Sequence, residues 1–203
     1  MIQGLAPELT ASDETLAVRS RDGASSAFAG LVSRYQERIY RLVARMSGNA
    51  SDAEEITQET FLRALRGIGS FHGESLFRTW LYRIAVNQAL MHLRAARRRP
   101  VQSLGVVALW GGGEGSAMAG AEPLEGADDL VDQKNLVERV RGALTQLDES
   151  HRAALVLRDL EGLSSEEAAE VLGISPDAVR QRAHRARLRL RELLREVVDA
   201  SAR

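Results

Sequence analysis

Between Pro176 and Arg195 the chain carries Arg180, Arg182, Arg185, Arg187, Arg189 and Arg191 together with His184, against only two acids, Asp177 and Glu192. Val179, Ala183, Ala186 and Leu190 recur there at helical spacing, which predicts a helix with one apolar stripe and one cationic face. Ser175 is placed to cap it, and Pro176 suits its first turn. Upstream, 164–172 reads as a short amphipathic helix with Gly173 as its stop. A short scaffold helix, a tight glycine turn and a long basic helix predict a helix-turn-helix, whose second helix lies in the major groove. Arginine forks there reach guanine edges and phosphates. A merely solvated helix is the competing reading, but such a helix usually mixes Glu with its Arg at i,i+4.

The remaining sequence narrows the class. A length of 203 residues allows one domain or two small ones. The net charge of −1 hides a segregation. Residues 76–99 hold six Arg and no acid, whereas 101–133 hold six acids and no Lys or Arg. Two basic segments separated by an acidic one predict two separate nucleic-acid contacts. The lone Lys134 beside abundant Arg, Ala and Gly reflects GC-rich coding and is given no functional weight. There is no cysteine, and the histidines at 72, 92, 151 and 184 lack ligand spacing, so neither a metal nor a cofactor is expected. No phosphate loop or nucleophile-and-base set is visible, and the chain is not expected to be an enzyme. The N-terminus lacks a signal pattern and no apolar run has membrane-spanning length, so the expectation is a cytoplasmic protein without membrane insertion.

Pervasive helical periodicity, with Gly and Pro sparse outside 100–126, predicts an all-α protein of two small helical domains joined by a flexible linker. Residues 1–23 read as a tail with one short helix around 13–19. The first domain, 24–100, contains a helix over 24–47 with Phe28, Leu31, Val32, Tyr35, Ile39, Leu42, Val43 and Met46 inward. A second helix begins at Asp52 and buries Ile56, Phe61, Ala64 and Leu65. A third runs from about Glu74 to Arg98, with Phe77, Leu81, Ile84, Gln88 and Met91 near one stripe. Residues 101–133 form the acidic linker, in which 104–110 is apolar enough to dock on a neighbour. The last domain, 134–198, places Leu136, Val140, Leu144 and Leu147 on one helix, 150–160 on the next, and then the helix-turn-helix.

Four stretches in order resemble a known family. They are 52–61 (DAEEITQETF), 77–87 (FRTWLYRIAVN), 155–164 (LVLRDLEGLS) and the run from Leu172-Gly173-Ile174-Ser175-Pro176 through Val179-Arg180-Gln181-Arg182 to His184-Arg185-Ala186-Arg187. Together they are similar to the extracytoplasmic function (ECF) group of bacterial RNA polymerase sigma factors. The resemblance covers about 24–100 and 136–195. It implies a first domain like sigma region 2, which binds the β′ clamp helices of core RNA polymerase and opens the −10 element. It implies a last domain like sigma region 4, which binds the −35 element and the β flap, and a linker that threads toward the active centre and RNA exit path. Matched residue by residue, Asp52, Glu55, Gln58, Glu59, Leu62 and Arg66 would face core polymerase. Phe71, His72, Arg78, Arg83, Asn87, Arg94, Arg97 and Arg98 would contact −10 DNA, with Phe71 and Asn87 holding a flipped base and the arginines, with Arg99, holding phosphates. Alternatively, Phe71 anchors its own loop, and Trp80 is expected to be mostly packed. Arg180, Gln181, Arg182, His184 and Arg185 would read the −35 element. Arg187, Arg189 and Arg191 would hold phosphates or stay solvated.

The resemblance also implies promoter DNA and an anti-sigma factor as partners, with a monomer when free. The sequence departs from the family at Met91, where Asp is common, at Ser165 in place of an aromatic, and at Ala168 and Ala183 in place of larger aliphatics. A free-standing helix-turn-helix regulator is the alternative. It would bind an operator alone, usually as a dimer, and no obvious dimerisation helix is present.

Overall fold

A computed structural model describes residues 11–73, 75–98 and 138–201, with side chains as far as Arg195. The linker 101–133, Arg99, Leu136 and the expected helix start at Glu74 lie outside the described residues. Among those described, the regular structure is entirely helical. Helix α1 (Asp13–Arg21) starts at Ser12, whose hydroxyl accepts from the Thr15 amide at 3.2 Å. Leu16 and Ala17 are fully buried, and Asp13 accepts hydrogen bonds from Arg34 and Tyr35. Residues 13–21 therefore pack as part of the first unit. Burial, followed by the Asp13 carboxylate, raises the Tyr35 phenol above its ordinary pKa.

Helix α2 (Ser25–Ser47) buries the predicted stripe apart from half-buried Val32. It ends at Gly48, in the left-handed region at φ 85°, where a Cβ would lie 2.1 Å from the Thr145 side chain. Helix α3 (Ala50–Gly67) begins earlier than expected because Asn49 is its cap, accepting from the Asp52 amide at 2.7 Å. Leu65, expected inside, is 50% exposed; Ala53 and Thr60 are buried instead. Thr60 spends its hydroxyl on the Ile56 carbonyl at 2.7 Å, which permits burial. A 3₁₀ turn (Ile68–Ser70) leads toward α4 (Phe77–Arg98). The buried face of α4 is broader than the stripe read from sequence. Tyr82, Ala85, Val86 and Ala89 are buried because α4 packs against α2, α3 and the later α7, whereas Met91 is 54% exposed.

In the second unit, 138–145 form α5, and α6 (Glu149–Leu155) widens into a π turn over Val156–Leu160. Helices α7 (Ser165–Leu172) and α8 (Pro176–Ser201) follow. The units pack directly. One apolar core runs from Leu16, Ile39, Leu81 and Val86 through Val156, Leu157, Leu163, Ala168 and Val179. A smaller core joins Ala143, Leu144, Leu147, Leu155, Ala186 and Leu193. Arg152, only 3% exposed, donates to the Met46 carbonyl of α2 and to the Thr145 and Leu147 carbonyls at 2.6 and 3.1 Å. It thereby caps the ends of α2 and α5 at once. Its removal orphans three acceptors, so Arg152→Ala is expected to cost about 3 kcal/mol in urea denaturation, with Arg152→Lys intermediate.

Glu167 links local structure to this packing. Its carboxylate accepts from the Ser164 amide at 2.8 Å and from Arg78 at 2.6 Å. The Ser164 amide, followed by Arg78, holds the carboxyl below the ordinary glutamate range. A carboxyl whose pKa falls on folding contributes stability above its unfolded value and loses it as pH drops through the folded value. The urea midpoint is therefore expected to decline below about pH 4.3, and Glu167→Gln to flatten that decline while lowering the midpoint at neutral pH.

Candidate nucleic-acid interface

The helix-turn-helix is built locally. Ser164 and Glu167 form a reciprocal capping box, with the Glu167 amide donating to the Ser164 hydroxyl at 3.0 Å. Gly173 turns the chain at φ 65°, and the Ser175 hydroxyl accepts from the Ala178 amide at 3.2 Å to start α8. Val179, Ala183 and Ala186 then point inward and are essentially inaccessible. Ala168 is equally buried, so a larger side chain at 168 or 183 would have to displace packed neighbours. Ser165, where an aromatic is frequent, is buried and accepts from Arg158 at 2.8 Å.

The outward face of α8 divides by partner. Arg180 is held by Asp177 and lies 3.7 Å from Glu166. Arg187 grips Asp159 with two hydrogen bonds at 2.6 and 2.7 Å, which raise its pKa and fix it to its own unit. Arg189 pairs with Glu192 at 3.1 Å. No described residue hydrogen-bonds or ion-pairs with the side chains of Gln181, Arg182, His184 or Arg185. Those four form an open donor-rich patch near the N-terminal end of α8, where a recognition helix meets base edges.

In the first unit only some of the predicted residues, Glu55, Glu59, Arg66 and Asn87, meet along the seam of α3 and α4. Asp52, Glu55, Glu59, Leu62 and Arg66 recur at three- and four-residue steps and line one side of α3. Gln58 stands exposed beside them, and Leu62 is 47% exposed. Asp52 is already engaged, accepting from Asn49 at 2.7 Å and lying 3.8 Å from His92. Glu59 holds Arg63 at 2.6 Å. A groove of about 230 Å³ runs between Glu55, Glu59, Gln88, Met91 and His92. It adjoins a polar cleft of about 580 Å³ lined by Arg63, Arg66, Ser70, Trp80, Ile84, Asn87 and Gln88. Arg66, matched to the polymerase-facing set, also lines this cleft with Asn87.

Phe71 here takes the loop-anchoring alternative. It is 6% exposed, stacked edge-on to Phe77 at 5.7 Å and tilted against Trp80 at 5.4 Å. Its ring anchors the loop and offers no free face to a base. The ring that reaches the Asn87 cleft is Trp80, half-buried behind it. Sequence reasoning missed Arg63, Ser70 and Gln88 as cleft residues, whereas Trp80, weighed there as a DNA contact but expected to be mostly packed, is half-buried at the cleft. A glutamine on an otherwise apolar stripe was the available signal for Gln88. His72 is exposed. Tyr82 is buried and donates to Glu161 at 3.1 Å; burial, then the Glu161 charge, pushes its phenol up to about 12.

The α4 arginines also divide. Arg94 and Arg98 are exposed, and Arg97 lies 3.1 Å from Glu149. Arg78 and Arg83 bind Glu167 and Glu170 of α7 at 2.6 and 2.9 Å. Among the described residues, no cluster of three or more His, Cys, Asp or Glu could hold a metal, and no helix is long and apolar enough to cross a membrane.

Comparison with known proteins assigns both units. Residues 31–99 match Sigma-70 region 2, and residues 138–190 match Sigma-70, region 4. The RNA polymerase sigma-H factor of Pseudomonas aeruginosa is 38% identical over 197 residues, covering 91% of this chain and 96% of the relative. The ECF RNA polymerase sigma-E factor of Escherichia coli K12 is 37% identical over 177 residues, covering 87% and 91%. Among solved structures, CnrH in complex with the cytosolic domain of CnrY superposes with a TM-score of 0.66 at 28% identity, over 92% of this chain and 99% of that one. The sigma factor RpoE in complex with the anti-sigma factor NepR, from Bartonella quintana, shares the fold, with a TM-score of 0.61 at 23% identity over 83% and 96%. With both regions present in order and close relatives spanning nearly its full length, the chain belongs to the ECF family of RNA polymerase sigma factors.

Proposed function

We propose that this sigma factor acts in the cytoplasm as a monomer that docks on core RNA polymerase, reads a two-part promoter and stabilises the melted strand. The open patch of Gln181, Arg182, His184 and Arg185 on α8 carries this reading, because it presents base-reading donors with no partner among the described residues. Arg180 joins them at the −35 element by exchanging its Asp177 pair for phosphate. The β flap takes the other side of the same unit. In the first unit, the α3 line from Asp52 to Leu62 meets the β′ clamp, with exposed Leu62 as its apolar contact. Asn87 offers a flipped −10 base both a donor and an acceptor, with Trp80 as the aromatic floor of the cleft. His72, Arg94 and Arg98 lie outward to follow the backbone, and Arg78, Arg83 and Arg97 can do so once their acidic partners leave. No covalent step is involved; melting is driven by capture of unpaired bases. The cytosolic domain of CnrY and the anti-sigma factor NepR, bound to the structural neighbours, support an anti-sigma partner for this chain as well.

Run-off transcription with bacterial core polymerase on fragmented genomic DNA tests the reading, with initiation at a shared two-part motif expected. Failure to bind core, with tight operator binding by the chain alone, would instead indicate a free-standing regulator. Arg182→Ala is expected to reduce transcription from −35-dependent promoters by about tenfold, the effect of one lost base contact, while core affinity measured by gel filtration is unchanged. Asn87→Ala is expected to lower permanganate reactivity of unpaired thymines in the open complex, with closed-complex affinity retained.

A further inference from the structure

The apolar run over 104–110 has no task in the reading above, and the second unit has an open apolar trough. Between α5, the π turn and α8 lies a groove of about 650 Å³, floored by Val140, Leu144, Leu155, Leu160, Leu190 and Leu194. Val140, Leu144 and Leu160 also wall an adjoining groove of about 410 Å³ that reaches the end of α2. The two form one trough, with Leu160, 46% exposed, at their junction. Asp159, the one carboxylate among the described residues lining it, is held by Arg187. Arg141, Arg191 and Arg195 stand at the rim, and no described residue ion-pairs with them. A continuous apolar surface with a cationic rim fits an uncharged apolar segment that continues into acids.

We infer that residues 104–110 of the same chain lie in this trough in the free protein. Three observations select that occupant. The segment offers Leu104, Val106, Val107, Leu109 and Trp110 and carries no charge. Three glycines and then Glu114 follow it, and 101–133 hold six acids and no Lys or Arg, so the flanking chain is attracted to the arginine rim. The connections also reach. Arg97 is held 3.1 Å from Glu149 at the start of α6. Leu155, at the other end of that helix and about 9 Å along its axis, lines the trough. Leu104 lies six positions beyond Arg98, a span of about 20 Å when extended. On the other side the chain returns into α5, which itself carries Val140 and Leu144. A segment tethered at both ends meets its groove at a high effective concentration, ahead of a second copy. Docking withdraws both apolar surfaces from water. The inference does not rest on the promoter-reading assignment.

Trp80 and Trp110 are the two tryptophans of the chain, so Trp80→Phe leaves Trp110 as the sole tryptophan reporter in the full-length protein. Its emission should be blue-shifted from that of free tryptophan and protected from acrylamide, at a level independent of protein concentration. Adding Leu160→Glu puts a charge on the trough floor at a half-exposed position that tolerates substitution. It should shift the emission to the red and raise the acrylamide quenching constant severalfold. Leu188→Glu, equally exposed on α8 but outside the trough, should change neither. Trp110 open to acrylamide in the Trp80→Phe chain overturns the inference and leaves the trough to a separate partner. Protection that Leu160→Glu does not reduce also overturns it. So does protection that vanishes on dilution, which would mean a second copy. Should Leu160→Glu fail to fold by circular dichroism, disulfide formation decides, since the natural chain has no cysteine. Val107→Cys with Leu160→Cys should cross-link within one chain, and Val107→Cys with Leu188→Cys should not. No cross-link, cross-linked dimers, or equal cross-linking of the two pairs overturns the proposal.

Discussion

A single buried guanidinium joins the two halves of the molecule. Arg152 sits where α2 and α5 both end, and it gives its donors to main-chain carbonyls from each. Burial lowers its pKa and the nearby Glu149 charge opposes that shift. An arginine, unlike a lysine, serves several carbonyls in one plane while remaining charged. Around it the geometry is tight: Gly48 lies where no side chain fits against Thr145. The relative position of the units thus follows from complementary main-chain ends as well as from apolar burial.

The arginines of this protein carry out opposite tasks according to what faces them. Arg152 and Arg187 have fixed internal partners and maintain shape. Arg182 and Arg185 have none among the described residues. Arg78 and Arg83 lie between these extremes, bound to carboxylates across a partly solvated boundary. Counting basic residues along the sequence cannot separate these groups, because the acids that decide the matter come from other helices. Asp159 is 28 positions from Arg187, and Glu167 is 89 from Arg78.

The same distinction explains what could be read in advance. Helix α2, the capping box at Ser164 and the Gly173 corner were legible because their determinants lie within a few residues of one another. The inward set of α8 was equally plain from Val179, Ala183 and Ala186. Phe71 was harder: a lone aromatic in a glycine-containing loop looks like a recognition element until Phe77 and Trp80 are seen closing over it. Leu65 and Met91 misled in the other direction, since each falls near an apolar stripe yet sits past the edge of its neighbour's contact. The partnership of α4 with α7 was invisible because periodicity reports that a face is buried and not what buries it.

The length of α8 has its own implication. Its 26 residues form one uninterrupted helix, about 39 Å at 1.5 Å per residue. The exposed Gln181, His184 and Arg185 lie in its early turns, while Leu193, near the other end, is buried with Leu144 of α5 and Leu147 just beyond it. One stiff rod therefore spans the unit from the helix-turn-helix corner to the opposite flank. Because a continuous helix of this length is stiff, a tilt imposed at the Leu193 end is carried to the first turns rather than absorbed between them.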